Sequence, residues 1–242
     1  MSDDRNPNIE SFNRDIEANT GYLYTTNARL SSRLANRRLT DAALATINMS
    51  GKRVIDVGCG DGTYTMELFD LGHPKIMYGV DPASEAIKVA KERCGKREII
   101  FEAQSADALP YEADSFDIAH IRGVLHHMDN PRGAISEGLR VAPTILVIEP
   151  NGYNPIVKLL ENYSRYHIEH QEKSYTSHVL NRWVISLGGK VDRRFYAGLV
   201  PFFCPDWFAK TMKILEPAVE HVPGLRLLSC AVHVFVGTRS AE

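Results

Sequence analysis

The sequence has little net charge: 28 Lys and Arg residues stand against 30 Asp and Glu, which gives a formal charge of −2 at pH 7. Such a balance provides no bulk attraction to nucleic acid or to an anionic membrane. Any partner of that kind would need a local cluster of charge. From the composition we therefore expect neither a nucleic-acid nor a membrane partner.

Cysteines and long apolar runs are also scarce. The four cysteines are far apart and form no C-x-x-C pair, which argues against both a disulfide framework and a zinc site. No stretch approaches the ~18 consecutive apolar residues of a membrane-spanning helix. The first residues, MSDDRNPNIESF, are acidic and polar where a signal peptide would be basic and then apolar. These features predict a reduced, cytoplasmic protein.

Helical and strand-like patterns divide the chain into three zones without internal repeats. Residues 1–50 carry apolar residues at helical spacing and predict an N-terminal helical segment. Residues 51–150 alternate short β-branched runs with helical stretches, which is typical of a parallel sheet covered on both faces. Residues 151–242 add helices, a strand near Val191 and a last strand near Val234 to the same domain. The predicted fold class is α/β, with a doubly wound core.

An aromatic-rich stretch lies between the late strands of the third zone. Its side chains could simply pack in the core, or they could form an apolar wall for a small substrate. Because binding residues of open α/β sheets gather at the C-terminal ends of the strands, we predict that this zone builds the substrate pocket. The aromatic residues are Phe195, Tyr196, Phe202, Phe203, Trp207 and Phe208.

A glycine-rich loop follows the first predicted strand in the segment VIDVGCGDGT, with glycines at positions 58, 60 and 62. Glycines let the backbone approach a ligand closely, and the helix that follows offers free N–H groups. The dinucleotide fingerprint G-x-G-x-x-G would place the third glycine one residue later, and the carboxylate of Asp61 would repel a pyrophosphate. A purely structural turn is the alternative interpretation.

Two further aspartates follow the second and third predicted strands. Asp81 lies about twenty residues past the glycine loop, where a carboxylate can accept hydrogen bonds from the hydroxyls of a ribose. Asp107 offers an acceptor suited to an exocyclic adenine amino group. Either residue could instead cap a helix. Together with the loop, they predict a nucleoside-containing ligand.

With these residues in place, the stretch from Val54 to Pro150 resembles the class I S-adenosylmethionine-dependent methyltransferases. The segments that carry the resemblance are VIDVGCGDGT, YGVDPASEAI, AQSADALPYEADSFDIAHIRGVLHHM and LVIEP. The resemblance implies a Rossmann-like, doubly wound seven-stranded sheet with an antiparallel last strand. It also implies an N-terminal helical lid, helical insertions after strands 5 and 6, S-adenosylmethionine as cofactor and S-adenosylhomocysteine as product.

The resemblance also implies roles for individual residues. The methionine part of the cofactor would be held by Asp56, Gly58, Gly60 and Asp61, with Cys59 as a small filler of the loop that has no nucleophilic role. Asp81 would bind the ribose hydroxyls, Pro82 would lie beside the adenine, and Ala106 and Asp107 would contact the adenine edge. Ile121 and Arg122 would line the path to the sulfonium, and Tyr24 of the lid would lie near the methionine carboxylate or an acidic substrate.

Histidines supply the candidate catalytic groups. His127 lies near the expected methyl position and could act as a general base, whereas at least one ring of the pair His126–His127 could pack structurally. His167 and His170 could face the substrate or ligate a metal, but no third ligand is identifiable, so we predict no metal. The three arginines at positions 29, 33 and 37 would form a solvated helix face or part of the lid.

The fourth-strand motif lacks the Asn/Asp-Pro-Pro-Tyr sequence that this family uses for planar amino nitrogens and reads Ile121-Arg-Gly-Val-Leu125 instead. We therefore predict methyl transfer to an oxygen or nitrogen of a small molecule, such as a secondary metabolite, a sugar or a lipid-linked saccharide. A nucleotide-dependent oxidoreductase and a non-catalytic protein that binds S-adenosylmethionine are the alternatives. The sequence does not indicate an oligomeric state.

Overall fold

The structure, a computed structural model, describes residues 10, 13, 14, 16, 21–164, 168 and 172–240. The helices are α1 (Leu23–Thr26), α2 (Leu30–Thr46), α3 (Thr63–Gly72), α4 (Ser84–Cys94), α5 (Pro131–Val141), α6 (Pro155–Tyr163), α7 (Ser177–Ser186), α8 (Asp206–His221) and α9 (Pro223–Ser229). The strands are β1 (Arg53–Val57), β2 (Ile76–Asp81), β3 (Ile99–Ala103), β4 (Ile118–Arg122), β5 (Thr144–Pro150), β6 (Gly189–Ala197) and β7 (Val232–Arg239). A short 3₁₀ turn spans Leu125–His127.

The seven strands form one sheet in the order β3-β2-β1-β4-β5-β7-β6. The first five strands pair in parallel, whereas β7 runs antiparallel to both of its neighbours. This arrangement confirms the predicted Rossmann-like fold with an antiparallel last strand. The chain continues from β1 to β2 on one side and places β4 on the other, so the carboxyl ends of β1 and β4 border a crevice of the kind that binds ligands in open α/β sheets.

Helices cover both faces of the sheet, and each face has its own apolar core. One core contains Leu39 and Ala43 of α2 together with Leu68 of α3. The other contains Ile135 of α5 and Leu180 of α7. The apolar runs of the central strands are buried because they face helices on both sides, which is why they show no polar alternation in the sequence.

The N-terminal zone is not one continuous helix. The extended residues Asn27 and Arg29 flank the start of α2, and the Asn27 side chain accepts a hydrogen bond from the backbone N–H of Arg29 at 3.0 Å. Helix α2 packs into the first core, and Arg38 donates to both carboxylate oxygens of Glu220 on α8, at 2.9 and 2.6 Å. Helix α2 is therefore held against the main body of the domain, and the lid over residues 1–50 stays a prediction.

Helices also follow the fifth and sixth strands as predicted, with α6 and α7 after β5 and α8 and α9 after β6. The strand predicted near Val191 spans Gly189–Ala197, and Ala197 still pairs with Val232 of β7. Helix α6 ends at Tyr163. Among the described residues, no helix has both the length and the apolar character needed to cross a bilayer.

A close backbone contact at Gly152 fixes the exit of β5 and yields a stability prediction. A Cβ atom there would lie 2.5 Å from the backbone carbonyl carbon of Tyr175 and 2.7 Å from the amide nitrogen of Thr176. Since neither atom can move independently of the chain, Gly152→Ala should lower the free energy of unfolding by about 1–3 kcal/mol in urea denaturation.

The matched control is Gly224→Ala in α9, where no atom lies within 4 Å of the added Cβ. Helical alanine is favoured over glycine by roughly 0.5–1 kcal/mol, so this variant should keep or gain stability. Equal stability of the two variants would contradict the packing account of Gly152.

Candidate active site

The glycine loop adopts the backbone conformation that its sequence predicts. Gly58, Gly60 and Gly62 have φ angles of 76°, 55° and 74°, a region that side chains other than glycine rarely adopt. The backbone N–H groups of Gly58 and Cys59 donate to the carbonyl of Val80 at 2.7 and 3.0 Å. The loop therefore bends sharply across the carboxyl ends of β1 and β2.

Asp81 ends β2 beneath this loop, and both of its carboxylate oxygens are engaged. One accepts from the backbone N–H of Gly60 at 3.0 Å and the other from that of Ala83 at 2.9 Å. Burial raises the pKa of Asp81 to about 6, an effect that these two hydrogen bonds partly offset. A carboxylate oxygen has lone pairs beyond one hydrogen bond, so Asp81 can also accept from two neighbouring hydroxyl groups, which suits a ribose.

Asp56, on β1, lies in a buried hydrogen-bond network. Its carboxylate is 2.7 Å from Nδ1 of His120 on β4 and accepts from the Thr65 hydroxyl at 2.5 Å. The three residues are at most 4% exposed. The network joins β1, β4 and α3 next to the glycine loop. Asp56 therefore stabilises the strand before the loop and the helix after it.

Asp61 is also buried, and its carboxylate is tied to two separate parts of the chain. It accepts from the Thr25 hydroxyl at 2.7 Å and from Nη1 of Arg93 on α4 at 3.0 Å. Its second oxygen accepts from the backbone N–H of Thr63 at 3.1 Å. Asp61 thus connects the N-terminal segment to the loop, and its expected contact with the methionine part of a cofactor stays a prediction.

The N-terminal segment covers the glycine loop through two tyrosines. A Cβ atom on Gly60 would lie 2.6 Å from Cε2 of Tyr22, so this ring lies directly against the loop. The backbone carbonyl of Tyr24 accepts hydrogen bonds from Asn36 at 3.0 Å and from the Tyr64 hydroxyl at 3.3 Å. The Tyr22 ring, which sequence reasoning did not select, lies against the loop, and the role of Tyr24 in cofactor binding stays a prediction.

The residues predicted to surround an adenine lie at the carboxyl ends of β2 and β3. Ala106 is buried, whereas Pro82 and Asp107 are exposed. The Asp107 carboxylate accepts from the Ser105 hydroxyl at 2.6 Å. These positions leave one oxygen of Asp107 available for an amino group, and no contact in the structure tests that role.

The two residues expected to line the sulfonium path contact other parts of the protein, and that expected role stays a prediction. Ile121 is fully buried in the second core. Arg122 bonds to α2, with donations to Thr40 at 3.1 Å and to the Asn36 side chain at 3.0 Å, and its guanidinium carbon lies 4.1 Å from the centre of the Tyr64 ring. Arg122 therefore anchors α2 on β4, which identifies a structural contribution that the sequence did not reveal.

Glu149 organises the two histidines after β4. Its carboxylate accepts from the backbone N–H groups of Val124 and Leu125 at 2.8 and 2.9 Å and contacts Nδ1 of His126 at 2.8 Å. Burial alone would lower the pKa of His126, but the Glu149 carboxylate outweighs it and the pKa is raised. The ring centroids of His126 and His127 lie 3.9 Å apart. Because Glu149 holds the His126 ring, it also restricts the position of the adjacent His127 ring.

This turn lies close to both the glycine loop and the aromatic stretch. A Cβ on Gly58 would lie 2.2 Å from Cγ2 of Val124, the residue just before the turn. Potential metal-ligating atoms of His126, His127 and Glu172 lie within 4.8 Å of one another. Burial raises the pKa of Tyr24, and the negative charge of Glu172 raises it further. The Tyr24 ring in turn packs on Phe202 and Phe203, with centroids 5.1 and 5.3 Å away.

The same three ligand atoms could hold a divalent ion, and the expectation of no metal stays a prediction. His167 and His170 lie outside the described residues. Cys59 is buried, and burial is the main cause that raises the pKa of its thiol, so the thiol stays protonated at neutral pH. Sequence reasoning missed His120 and Glu149, although a titratable residue within or at the end of a buried strand was a usable signal.

With this geometry established, comparison with known proteins identifies the family. The profile of the methyltransferase domain matches residues 48–183, more than half of the chain. The chain belongs to the class I S-adenosylmethionine-dependent methyltransferases. The match includes the glycine loop, Asp81 and the two histidines after β4.

Two curated relatives each match less than two fifths of this chain. The ubiquinone biosynthesis O-methyltransferase of Coxiella burnetii is 34% identical over 91 residues, 37% of this chain and 38% of the relative. The tRNA U34 carboxymethyltransferase of Campylobacter hominis is 31% identical over 93 residues, 38% of this chain and 32% of the relative. The chain thus spans less than two fifths of the length of these relatives.

Solved structures extend the likeness of fold over nearly the whole chain. The methyltransferase in complex with the Haloferax volcanii Trm112 activator has a TM-score of 0.69 at 18% identity and covers 95% of this chain and 98% of its own. The magnesium protoporphyrin IX methyltransferase of Synechocystis, solved with bound S-adenosylmethionine, has a TM-score of 0.67 at 13% identity and covers 99% and 100%. At these identities the likeness shows the fold.

The raised pKa of Asp81 predicts a specific pH dependence of stability. An unfolded aspartate titrates near pH ~3.9, so between about pH 4 and pH 6 the folded chain binds a proton at Asp81 that the unfolded chain has lost. Unfolding therefore becomes easier as the pH rises through this window, by up to about 3 kcal/mol. Asp81→Asn should lose that part of the slope in urea denaturation at several pH values.

Asp107→Asn is the control, since its carboxylate is exposed. This variant should keep the slope of the wild-type protein between pH ~4 and pH ~6. The account fails if Asp81→Asn and the wild-type protein lose stability equally over that interval.

Proposed function

We propose that this chain transfers a methyl group from S-adenosylmethionine to an oxygen or nitrogen of a small molecule. The observation that carries the proposal is that the turn bearing His127 lies next to the glycine loop, with His127 close to Glu172. The charge of Glu172 acts on Tyr24, which packs on Phe202 and Phe203 in an aromatic cluster of these three residues. A titratable group beside an apolar wall suits a small acceptor that must be desolvated and deprotonated.

The cofactor fits the residues at the ends of β1 and β2. When bound, it supplies a methyl group already activated by the sulfonium, so the protein has mainly to align the acceptor and exclude water. In this proposal Asp81 accepts from the ribose hydroxyls, Ala106 and Asp107 border the adenine next to Pro82, and Gly58 and Gly60 let the backbone lie close to the methionine part. Tyr22 then covers the loop and excludes solvent.

His127 is the proposed general base. Its ring lies beside His126, whose position is fixed by Glu149, and near the carboxylate of Glu172. A neutral imidazole here can take the proton of an acceptor hydroxyl or ammonium group as the methyl group is transferred.

The relatives support the reaction class and leave the acceptor open. One carries the name of an O-methyltransferase of ubiquinone biosynthesis and another that of a tRNA carboxymethyltransferase. The described residues do offer a cationic groove, lined by Arg182, Lys190, Arg193 and Arg194. That groove lies on β6, four strands from β1, so it gives no support to a nucleic-acid acceptor at the methyl-transfer site.

Substitution of His127 tests the proposed chemistry. A panel of hydroxyl- and amine-bearing metabolites would be screened by the S-adenosylhomocysteine released with each acceptor. With the best acceptor, His127→Gln should lower kcat by about 100-fold or more, because the base is lost. Binding of S-adenosylhomocysteine in calorimetry should change little.

His178→Gln is the matched control, since His178 is exposed on α7 and bonds to Arg182. It should keep full activity. Wild-type activity in His127→Gln would remove His127 from the mechanism, and failure to form product with any acceptor would favour the non-catalytic alternative.

A further inference from the structure

Helix α6 presents its apolar side chains to solvent. Ile156, Leu159, Leu160 and Tyr163 follow the i, i+3, i+4, i+7 spacing of one helix face and are 65%, 58%, 43% and 79% exposed. No residue of this helix is buried. An amphipathic helix of a globular protein normally turns such a stripe toward the core.

The polar face of α6 is the one that holds the helix to the rest of the chain. Lys158 donates to the carbonyl of Ser174 at 2.8 Å and to Glu161 at 2.9 Å. Glu161 accepts from the backbone N–H of Ser174 at 2.8 Å. The outward direction of the apolar stripe is therefore fixed by specific polar contacts on the opposite face.

Helices α8 and α9 repeat this inverted arrangement. Glu216 is 2% exposed and accepts from the backbone N–H of Leu199 at 3.0 Å, whereas Trp207 and Ile214 of the same helix are 69% and 79% exposed. On α9, Leu225 and Leu228 are 52% and 55% exposed. The acids face inward and the large apolar side chains face outward.

The exposed stripes are neighbours, because α6 begins where α9 ends. The side chain of Asn154, which caps α6, donates to the carbonyls of Ser229 and Cys230 at 3.3 and 3.1 Å. The side chain of Asn151 donates to the carbonyl of Leu227 at 2.8 Å. We call the combined region the apolar face; it consists of Ile156, Leu159, Leu160, Tyr163, Trp207, Ile214, Leu215, Leu225 and Leu228.

On α8 the cations are more exposed than the glutamates. In the pair Lys213–Glu216 the side chains are 38% and 3% exposed. Lys210 is exposed as well. Within the three helices, all of whose residues the structure describes, Asp206 is the one exposed carboxylate. This local arrangement is invisible in a whole-chain net charge of −2.

We propose that the apolar face docks this protein on the surface of an anionic lipid bilayer. Helices that lie in the interface bury leucine, isoleucine and tryptophan side chains below the headgroups, while nearby lysines meet anionic lipid. Exposed Trp207 and Tyr163 are of the amphipathic aromatic type that concentrates at that depth. A second copy of the chain fits less well, since the core of a protein interface is depleted of lysine.

Docking would bring lipid close to the acceptor side of the site, a consequence that rests on the proposed function. Phe202 and Phe203 directly precede α8 and pack on Tyr24. An acceptor with an apolar tail could therefore pass from the bilayer to the aromatic cluster without crossing water. Binding to the bilayer itself does not depend on methyl transfer, so the two claims fail separately.

Co-sedimentation of the full chain with vesicles tests the docking surface. Vesicles of phosphatidylglycerol mixed with phosphatidylcholine would be compared with phosphatidylcholine alone, and we expect binding to the anionic mixture that weakens with salt. The double variants Ile156→Ser/Leu159→Ser and Trp207→Ser/Ile214→Ser should each weaken the partition coefficient about tenfold or more.

Ile185→Ser on α7 is the matched control, because Ile185 is 63% exposed but lies outside the apolar face. It should bind like the wild-type protein, and circular dichroism should show that all variants are folded. The proposal is overturned if the wild-type protein binds neither vesicle, if it binds both equally, or if the double variants bind as well as the control. A doubled mass in light scattering that only the double variants lose, without vesicle binding, would assign the face to a second copy.

Discussion

Buried carboxylates at the carboxyl ends of the parallel strands hold the whole site together. A carboxylate removed from water must be hydrogen-bonded, and here the donors are largely backbone N–H groups of the loops that follow the strands. Asp81 bonds to Gly60 and Ala83, and Glu149 bonds to Val124 and Leu125. The cost of burying each charge is thereby offset only when its loop has the observed conformation, so the acids specify the shape of the crevice.

The same constraint explains how a fold shared across a large family can carry a particular chemistry. The carboxylate that fixes the turn after β4 also fixes His126, and through the contact between the two rings it limits the position of His127. The shape of the crevice and the position of the candidate base are therefore both determined by carboxylates at the ends of neighbouring strands. The segments after β5 and β6 contribute Phe202 and Phe203 of the aromatic cluster and the outward apolar face. It is there that we place the choice of acceptor and the contact with lipid.

Much of the cofactor side could be predicted from the sequence, because its signals are local. A glycine loop after an apolar strand requires positive φ angles, and Asp81 ends the next strand, so chain order alone brings them together. The partners of Asp61 and the direction of Arg122 depend on packing between distant segments, which no spacing reveals. The sequence predicts a helix at α6, but the periodicity of its apolar residues does not show whether that face meets the core or the solvent.

The central claim is that the residues at the carboxyl ends of β1 and β2 bind the nucleoside of S-adenosylmethionine. The most direct measurement is a crystal structure of the chain with S-adenosylhomocysteine. The account predicts ribose hydroxyls within hydrogen-bonding distance of the Asp81 carboxylate and the homocysteine part along Gly58 and Gly60. A nucleoside bound away from Asp81, or no bound nucleoside at saturating concentration, would contradict it.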